Sequence, residues 1–496
     1  MTKQTKKIVP SFAQFGDNRI HFMPKRISDI SMGTYFLALM ACTLLYSSHI
    51  LDWKWWIFGI ISVIGFFHFA NRQSKLWLNI RPTTFTKRLF WGAFLLRVVW
   101  VLVSYYLYFQ WTDTAFSIDA ADELFYDEIG HYGASLMRDG KFAIYNPLVQ
   151  YSGGEVAFSD MGYPIYLSII YYIFFDSIII ARIIKALLSA WMAVLVYKVS
   201  SRNFGESTGR MAGIFCMLMP NLIYYCSFQL KEIEMVFLAM LFVERADWLL
   251  RQPKLKAMQT VALMMIPLVL FLFRTALAAT LVAAFFCALL LTTGRVSGFG
   301  KRAVLIVVAG VFAATMFLTS TSIGSEVSQM WQTRGSGQQA NMEWRSTRDN
   351  GNVFAKYAGA AVFAPMIFTI PFPTMSEVPG QENQKMIHGG NFVKNILSYF
   401  TIMALIVLLV TGNWRKHVLP LAVLCGYLVV LVFSSFAQSE RFHLPILPLT
   451  LMFAALGISL IKENPWMKRY FSYWCVLMFI AAIAWNWFKL AGRGLI

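Results

Sequence analysis

Residues 90–110 read FWGAFLLRVVWVLVSYYLYFQ, with Arg97 as the one charge in the stretch. As a helix rising 1.5 Å per residue, a segment of this length is about 30 Å long, the thickness of a bilayer's hydrocarbon core. Similar runs recur, among them Gly33–Leu51, Trp53–Ala70 and Ala303–Ser320. They decide the fold class: an all-α, polytopic transmembrane helical bundle. The composition agrees with this. Of 496 residues, 58% are hydrophobic and 14% charged, and the mean hydropathy is +0.56. A soluble domain carries about 25% charged residues, so a chain this apolar could not hide its apolar surface in one water-surrounded core.

The net charge is +18, from 43 basic and 25 acidic residues. The Lys and Arg sit mostly in short loops between apolar runs. Membrane insertion imposes that placement, so no nucleic acid is expected as a partner. Cys42, Cys216, Cys226, Cys287, Cys425 and Cys475 lie in or beside apolar runs without CxxC spacing and read as packing residues. No small-residue cleavage site follows a short apolar core near the start, so the first apolar run is expected to be an anchor.

Lys3, Lys6, Lys7, Arg19, Lys25 and Arg26 place the segment 1–32 in the cytoplasm. The remainder, 33–496, reads as one integral domain. Gly33–Leu51 crosses outward and Trp53–Ala70 returns. The basic loop with Arg72, Lys75, Arg81, Lys87 and Arg88 stays inside. Phe90–Gln110 then leaves Trp111–Gly162 outside. Two apolar stretches, Tyr163–Ile180 and Phe354–Phe372, would push the basic loops Arg251–Lys256 and Arg295–Arg302 outside if both crossed. They are therefore expected as short helices at or dipping into the outer interface. Further spans near 181–200, 210–227, 235–250, 257–273, 276–293, 303–320, 395–412, 418–436, 444–461 and 471–489 bring the total to about thirteen, with the C-terminus outside. The large outer regions are then 111–162 and 321–394, joined by the turns Gln229–Glu234 and Ala437–Pro445.

Ser117–Gly140 reads SIDAADELFYDEIGHYGASLMRDG. Asp119, Asp122, Glu123, Asp127 and Glu128 crowd together, with no Lys or Arg before Arg138. On a helix Asp122, Tyr126, Ile129 and Gly133 share a face, and Glu123 and Asp127 share the neighbouring one. Like charges at that spacing repel, so a cation, a basic side chain from another loop or a raised pKa should compensate them. A solvated acidic loop would carry the same residues. The functional alternative is a general base beside a phosphate-bearing substrate, with Asp122 and Glu123 as the candidates.

The run Asp122-Glu123-x-x-Tyr126-x-x-Ile129 resembles the acidic motif in the first outer loop of the C-type membrane glycosyltransferases, in particular the protein O-mannosyltransferase and aminoarabinose-transferase branch. Gly162-Tyr163-Pro164-Ile165-Tyr166 is similar to that family's aromatic-proline entry to its next helix, although Gly-Tyr-Pro stands where His-Pro-Pro is usual. Ala181-Arg182-Ile183-Ile184-Lys185, Tyr197 and Arg202-Asn203-Phe204-Gly205 continue the likeness, which covers roughly residues 111–250. It implies a donor sugar on a polyprenyl phosphate and an acceptor hydroxyl on a glycan, lipid or protein. It also implies Asp122 as catalytic base, Tyr126 beside it in the substrate site, and a second acid from a later outer turn. That acid is Glu232, with Glu234 in reserve.

A departing lipid phosphate needs donors, and arginine's planar fork suits phosphate oxygens. Arg274, Arg441 and Lys231 lie near the outer face. Arg441 stands in Glu440-Arg441-Phe442-His443-Leu444-Pro445, which resembles a late "RY-x-x-P" element of related transferases and adds His443 to the candidate substrate residues. Interface snorkelling would place the same cations there. No spacing demands a metal. No cofactor is required, and room remains for a divalent cation on Asp122, Glu232 and a histidine. Arg334–Arg348 is a Gly/Gln-rich basic loop that reads equally as a lid or a connector.

The expectation is therefore a bacterial-type inner-membrane glycosyltransferase with its site on the extracytoplasmic side, in contact with membrane lipids. One alternative is a polymerase or ligase of lipid-linked glycans, in which Arg334, Arg345 and Arg348 would matter more. Another is a flippase or transporter of lipid-linked sugars, a class that usually keeps ionisable residues near mid-membrane and has related halves. Neither feature is prominent here: Arg97 is the main mid-span charge, and the sequence alone offers it no partner.

Overall fold

The structure is a computed structural model that describes residues 19–153, 158–252, 257–291, 303, 305–307, 310, 364–432 and 439–496. Most of the expected span 303–320 and all of the loop 321–356, with Arg334, Arg345 and Arg348, lie outside the described residues.

The described chain is helical, without a strand among the described residues; one isolated antiparallel bridge joins Ile50 and Ser376. The helices are α1 (Lys25–Leu45), α2 (Trp53–Leu76), α3 (Pro82–Thr112), α4 (Ala121–Arg138), α5 (Tyr145–Tyr151), α6 (Gly162–Phe174), α7 (Ile178–Phe204), α8 (Glu206–Leu218), α9 (Pro220–Tyr224), α10 (Glu232–Arg251), α11 (Ala257–Phe271) and α12 (Thr275–Leu291). After the undescribed stretch come α13 (Glu382–Met386), α14 (His388–Val410), α15 (Val418–Val432), α16 (Glu440–His443), α17 (Leu447–Ser459) and α18 (Pro465–Ala491).

Seven helical stretches among the described residues are long and apolar enough to cross a membrane: α1, α2, α3, α7, α14, α18 and the joined run Glu440–Ser459. Many large apolar side chains of α1–α3 point outward, including Leu37, Leu44, Trp91, Leu95 and Val99. A bundle in water would not present such a belt, whereas a lipid-embedded one does. Helix α6 has 13 residues and is about 20 Å long, too short for a core roughly 30 Å thick. The chain leaves it through Phe175 and Asp176, both at positive φ, and enters α7 at Ile178. The described part of 354–372 is a single 3₁₀ turn, Ala364–Met366, followed by non-helical chain.

Polar contacts gather the connections at two ends. At one, Arg19 pairs with Glu463, His21 with Ser207, Arg210 with the Trp77 and Ile80 carbonyls, and Asn203 with His417. Arg202 there joins Glu244 and Asp247, and Arg251 joins Asp247 again. The other end collects residues near 117–153, 158–176, 228–234, 272–275, 374–388, 439–443 and 489–495.

Arg97 has partners after all, and they come from a proline. Pro220 lacks an N–H and so cannot bond the carbonyl four residues back, Cys216 O. Helix α8 stops at Leu218. The Arg97 guanidinium, fully buried in α3, donates to Cys216 O (3.0 Å), Met217 O (3.1 Å), Ala93 O (3.1 Å) and Ser189 Oγ (2.7 Å). A cation at a helix C-terminus also meets the negative end of the helix dipole.

Candidate functional site

Helix α4 begins with Asp122 and Glu123 in its first turn, and α10 begins with Glu232 and Glu234 in its own. Both are favourable places for carboxylates, because free backbone N–H groups and the helix dipole sit there. The four-residue α16 carries Arg441 between them. Its Nε donates to Glu232 Oε1 and its Nη1 to Asp122 Oδ2. One guanidinium thus ties the acidic loop, the turn before α10 and the turn before α17. The three side chains differ in exposure: 57% for Asp122, 20% for Arg441 and 0% for Glu232. The cluster therefore opens through Asp122.

Burial alone would raise the Glu232 carboxyl. The Arg441 and Arg274 guanidiniums outweigh it and hold Glu232 below the ordinary glutamate range. Tyr126, one turn after Asp122, is buried; burial first, and the Glu232 charge second, push its phenol up to about 12. It stays protonated and can donate a hydrogen bond. Arg274 stacks on Phe442, 4.4 Å from the ring centre, and its Nη1 is buried without a hydrogen-bond partner. Glu232 Oε2 is likewise buried without one. Two guanidiniums thus act on Glu232, and Asp122 is the exposed member of the cluster.

Lys231 is built in as a strut. It pairs with Asp160 and donates to Phe273 O at 2.8 Å, fastening the 158–160 segment and the α11–α12 corner to the start of α10. His443 is buried at the end of α16.

Glu123 points the other way from Asp122 and is buried. It accepts from Ser117 Oγ and from the Gln229 backbone N–H (2.7 Å), and Arg182 Nη2 stands 3.8 Å off. Burial raises its pKa. The expected compensation of the paired charges on α4 is present, by a different partner for each. Asp127 accepts from Tyr171 Oη and pairs with His131 (3.2 Å), which also meets Asp176 (3.1 Å). Gln229 Nε2 donates to Tyr171 Oη at 2.8 Å, so the same turn is held twice.

Four residues assigned no role from the sequence shape this end: Arg182, Lys185, Tyr171 and Gln229. Lys185 donates to Phe228 O (2.6 Å), Leu230 O (2.6 Å) and Tyr163 Oη (3.0 Å), which sets the path of the chain into Glu232. The available signal was that two of the four basic residues of α7, Arg182 and Lys185, lie within its apolar run, since a buried cation must be answered by carbonyls or carboxylates. The close approach of α4 and α6 depends on Gly133, where an added Cβ would lie 2.1 Å from Ser168 Oγ.

Asn383 closes the front of the loop, its N–H on Asp119 (3.1 Å) and its side chain on Ser117 (3.2 Å). Among the described residues no group of three or more His, Cys, Asp or Glu side chains is placed to hold a metal ion. No protein-family model matches the sequence, and no curated protein matches it.

Proposed function

We propose that the chain is a membrane glycosyltransferase. In this reading it moves a sugar from a polyprenyl-phosphate donor to a hydroxyl of a glycan, lipid or protein, at the extracytoplasmic face of a bacterial cell membrane. The observation that carries it is Arg441 bonded at once to Asp122 and Glu232. Residues distant in sequence form an open acidic and basic cluster, and a hydroxyl nucleophile leaving a phosphate behind needs both signs of charge.

Asp122, the exposed carboxylate, takes the proton of the acceptor hydroxyl. The acceptor oxygen attacks the anomeric carbon from the face opposite the phosphate, forming the new C–O bond as the bond to the phosphate oxygen breaks. Configuration inverts. The phosphate keeps the electron pair and stays on the lipid, and Arg441 and Arg274 stabilise its charge. Tyr126 donates to a substrate oxygen. Glu232 holds Arg441 in place.

The charge distribution supports this sidedness. Arg72, Lys75, Arg81, Lys87, Arg88, Arg202, Arg210, Arg245, Arg251, Arg415 and Lys416 cluster at the end away from Asp122, which the positive-inside bias assigns to the cytoplasm. Counting α6 as interfacial keeps the expected total at about thirteen crossings, of which seven are long and apolar enough among the described residues.

The test is Asp122→Asn with protein abundance held constant. Glycan and lipid modification in cells is expected to fall by roughly 10²–10⁴-fold. Unchanged product would remove Asp122 from the chemistry.

A further inference from the structure

The contact between Arg441 and Asp122 is a strange one for a working base. The guanidinium holds Asp122 through Oδ2 and so fixes where its other oxygen, Oδ1, can point. We propose that it is a latch: the donor's phosphate displaces Asp122 from Arg441, and only then can the carboxylate turn to the acceptor. This rests on the transferase reading and adds an order of events to it.

The asymmetry of the two arms supports this. Glu232 is 0% exposed and takes Arg441 Nε; giving up that bond would leave a buried charge unpaired, which is costly. Asp122 is 57% exposed and takes Nη1; water can replace its partner, so this arm costs little to open. The donor's phosphate is a diester with one negative charge, so it bonds a guanidinium edge on the same terms as the carboxylate it displaces. Arg274, with its buried and unpartnered Nη1, adds a second attraction that Asp122 does not receive from Arg441 alone. Asp122 thus serves as both the placeholder for the phosphate and the base of the reaction. The acceptor hydroxyl finds a competent carboxylate once the donor is seated, which protects the donor site from being primed while empty.

The latch makes a prediction of unusual sign. A residue that merely supports the site weakens binding when lost, whereas a placeholder strengthens it. The full chain in lipid nanodiscs is titrated with a fluorescent short-chain polyprenyl phosphate. Asp122→Asn is expected to bind roughly tenfold tighter than wild type while losing transfer. Asp122→Ser behaves the same way, Asp122→Glu returns to the wild-type affinity, and Arg441→Gln binds more weakly. If Asp122→Asn and Asp122→Ser bind no tighter than wild type, and wild type transfers sugar, the latch is wrong and the transferase reading stands. If wild type neither binds the lipid phosphate nor transfers sugar, the transferase reading fails and takes the latch with it.

Discussion

The two ends of the bundle use the same chemistry to opposite effect. At the basic end Arg202 holds Glu244 and Asp247 at 2.9 Å each, and Arg251 binds Asp247 again at 3.0 Å. Both carboxylates are nearly buried, at 5% and 8%, and they lie one turn apart on α10. That knot fastens the end of α7 to the end of α10. At the other end Arg441 also holds two carboxylates, but they come from different parts of the chain and one lies open to solvent. A cluster of arginines and acids is therefore no site by itself. The difference lies in whether one partner is reachable and whether the partners belong to separate elements that a ligand can come between.

The sharpest way to break this comparison is a matched pair of substitutions. Arg441→Lys keeps a cation against Glu232 but loses the fork. It is expected to cut transfer by roughly 10²-fold with thermal stability close to wild type. Arg202→Gln leaves Asp247 to Arg251 and Glu244 to the exposed Arg245 and is expected to cost roughly 1–3 kcal/mol of stability, with turnover per folded molecule near wild type. Melting curves and initial rates on both proteins decide it; matching profiles would erase the distinction between the ends.

Glu123→Gln asks which class the inner carboxylate belongs to. Because it accepts the Gln229 N–H and faces Arg182, it acts on the turn that presents Glu232, as a positioning residue. The expected cost is about 1–3 kcal/mol of stability and less than a tenfold loss of rate, with an unshifted pH profile. A loss as large as that of Asp122→Asn would make it the base instead.

The smallest effect is electrostatic. The hydrogen bond to Asp127 raises the pKa of His131 against the opposing effect of burial, and Asp176 adds to the rise. A raised histidine stabilises the fold below its unfolded pKa of about 6.5 and loses that contribution as pH climbs through the folded value. At 42% exposure, screening limits it to a few tenths of a kcal/mol. The melting temperatures of wild type and His131→Asn should converge between acid and alkaline pH. A gap that stays constant with pH would show that the ring only packs.

The helical class was legible because apolar runs of span length leave few alternatives. The same holds for the meeting of Asp122, Glu232 and Arg441, since charges gathered in the connections at one end of a helical bundle have a small area in which to collect. The orientation of Glu123 was not legible. Asp122 and Glu123 are neighbours in sequence, and only the packing of α4 on α6 and α7 decides which of them turns inward. Arg182 and Lys185 escaped assignment because their partners are backbone carbonyls and a carboxylate from other segments. Arg97 could have been read, since Met219-Pro220 frees a carbonyl four residues earlier, and an arginine in a neighbouring apolar helix is its natural acceptor-seeker.

That repair has a bearing on how the protein is made. Arg97 needs the carbonyl of Met217, 120 residues further along the chain. At 5–20 residues per second that is roughly 6–24 s of synthesis. For this interval the Arg97 guanidinium has only Ala93 O of its own helix and, after 92 residues, Ser189 Oγ, and an arginine left in lipid costs about 2.5–3.5 kcal/mol. The insertion machinery, or a provisional water-lined cleft, must shelter α3 until α8 arrives, so release of the first helices into the bilayer is tied to the birth of the eighth.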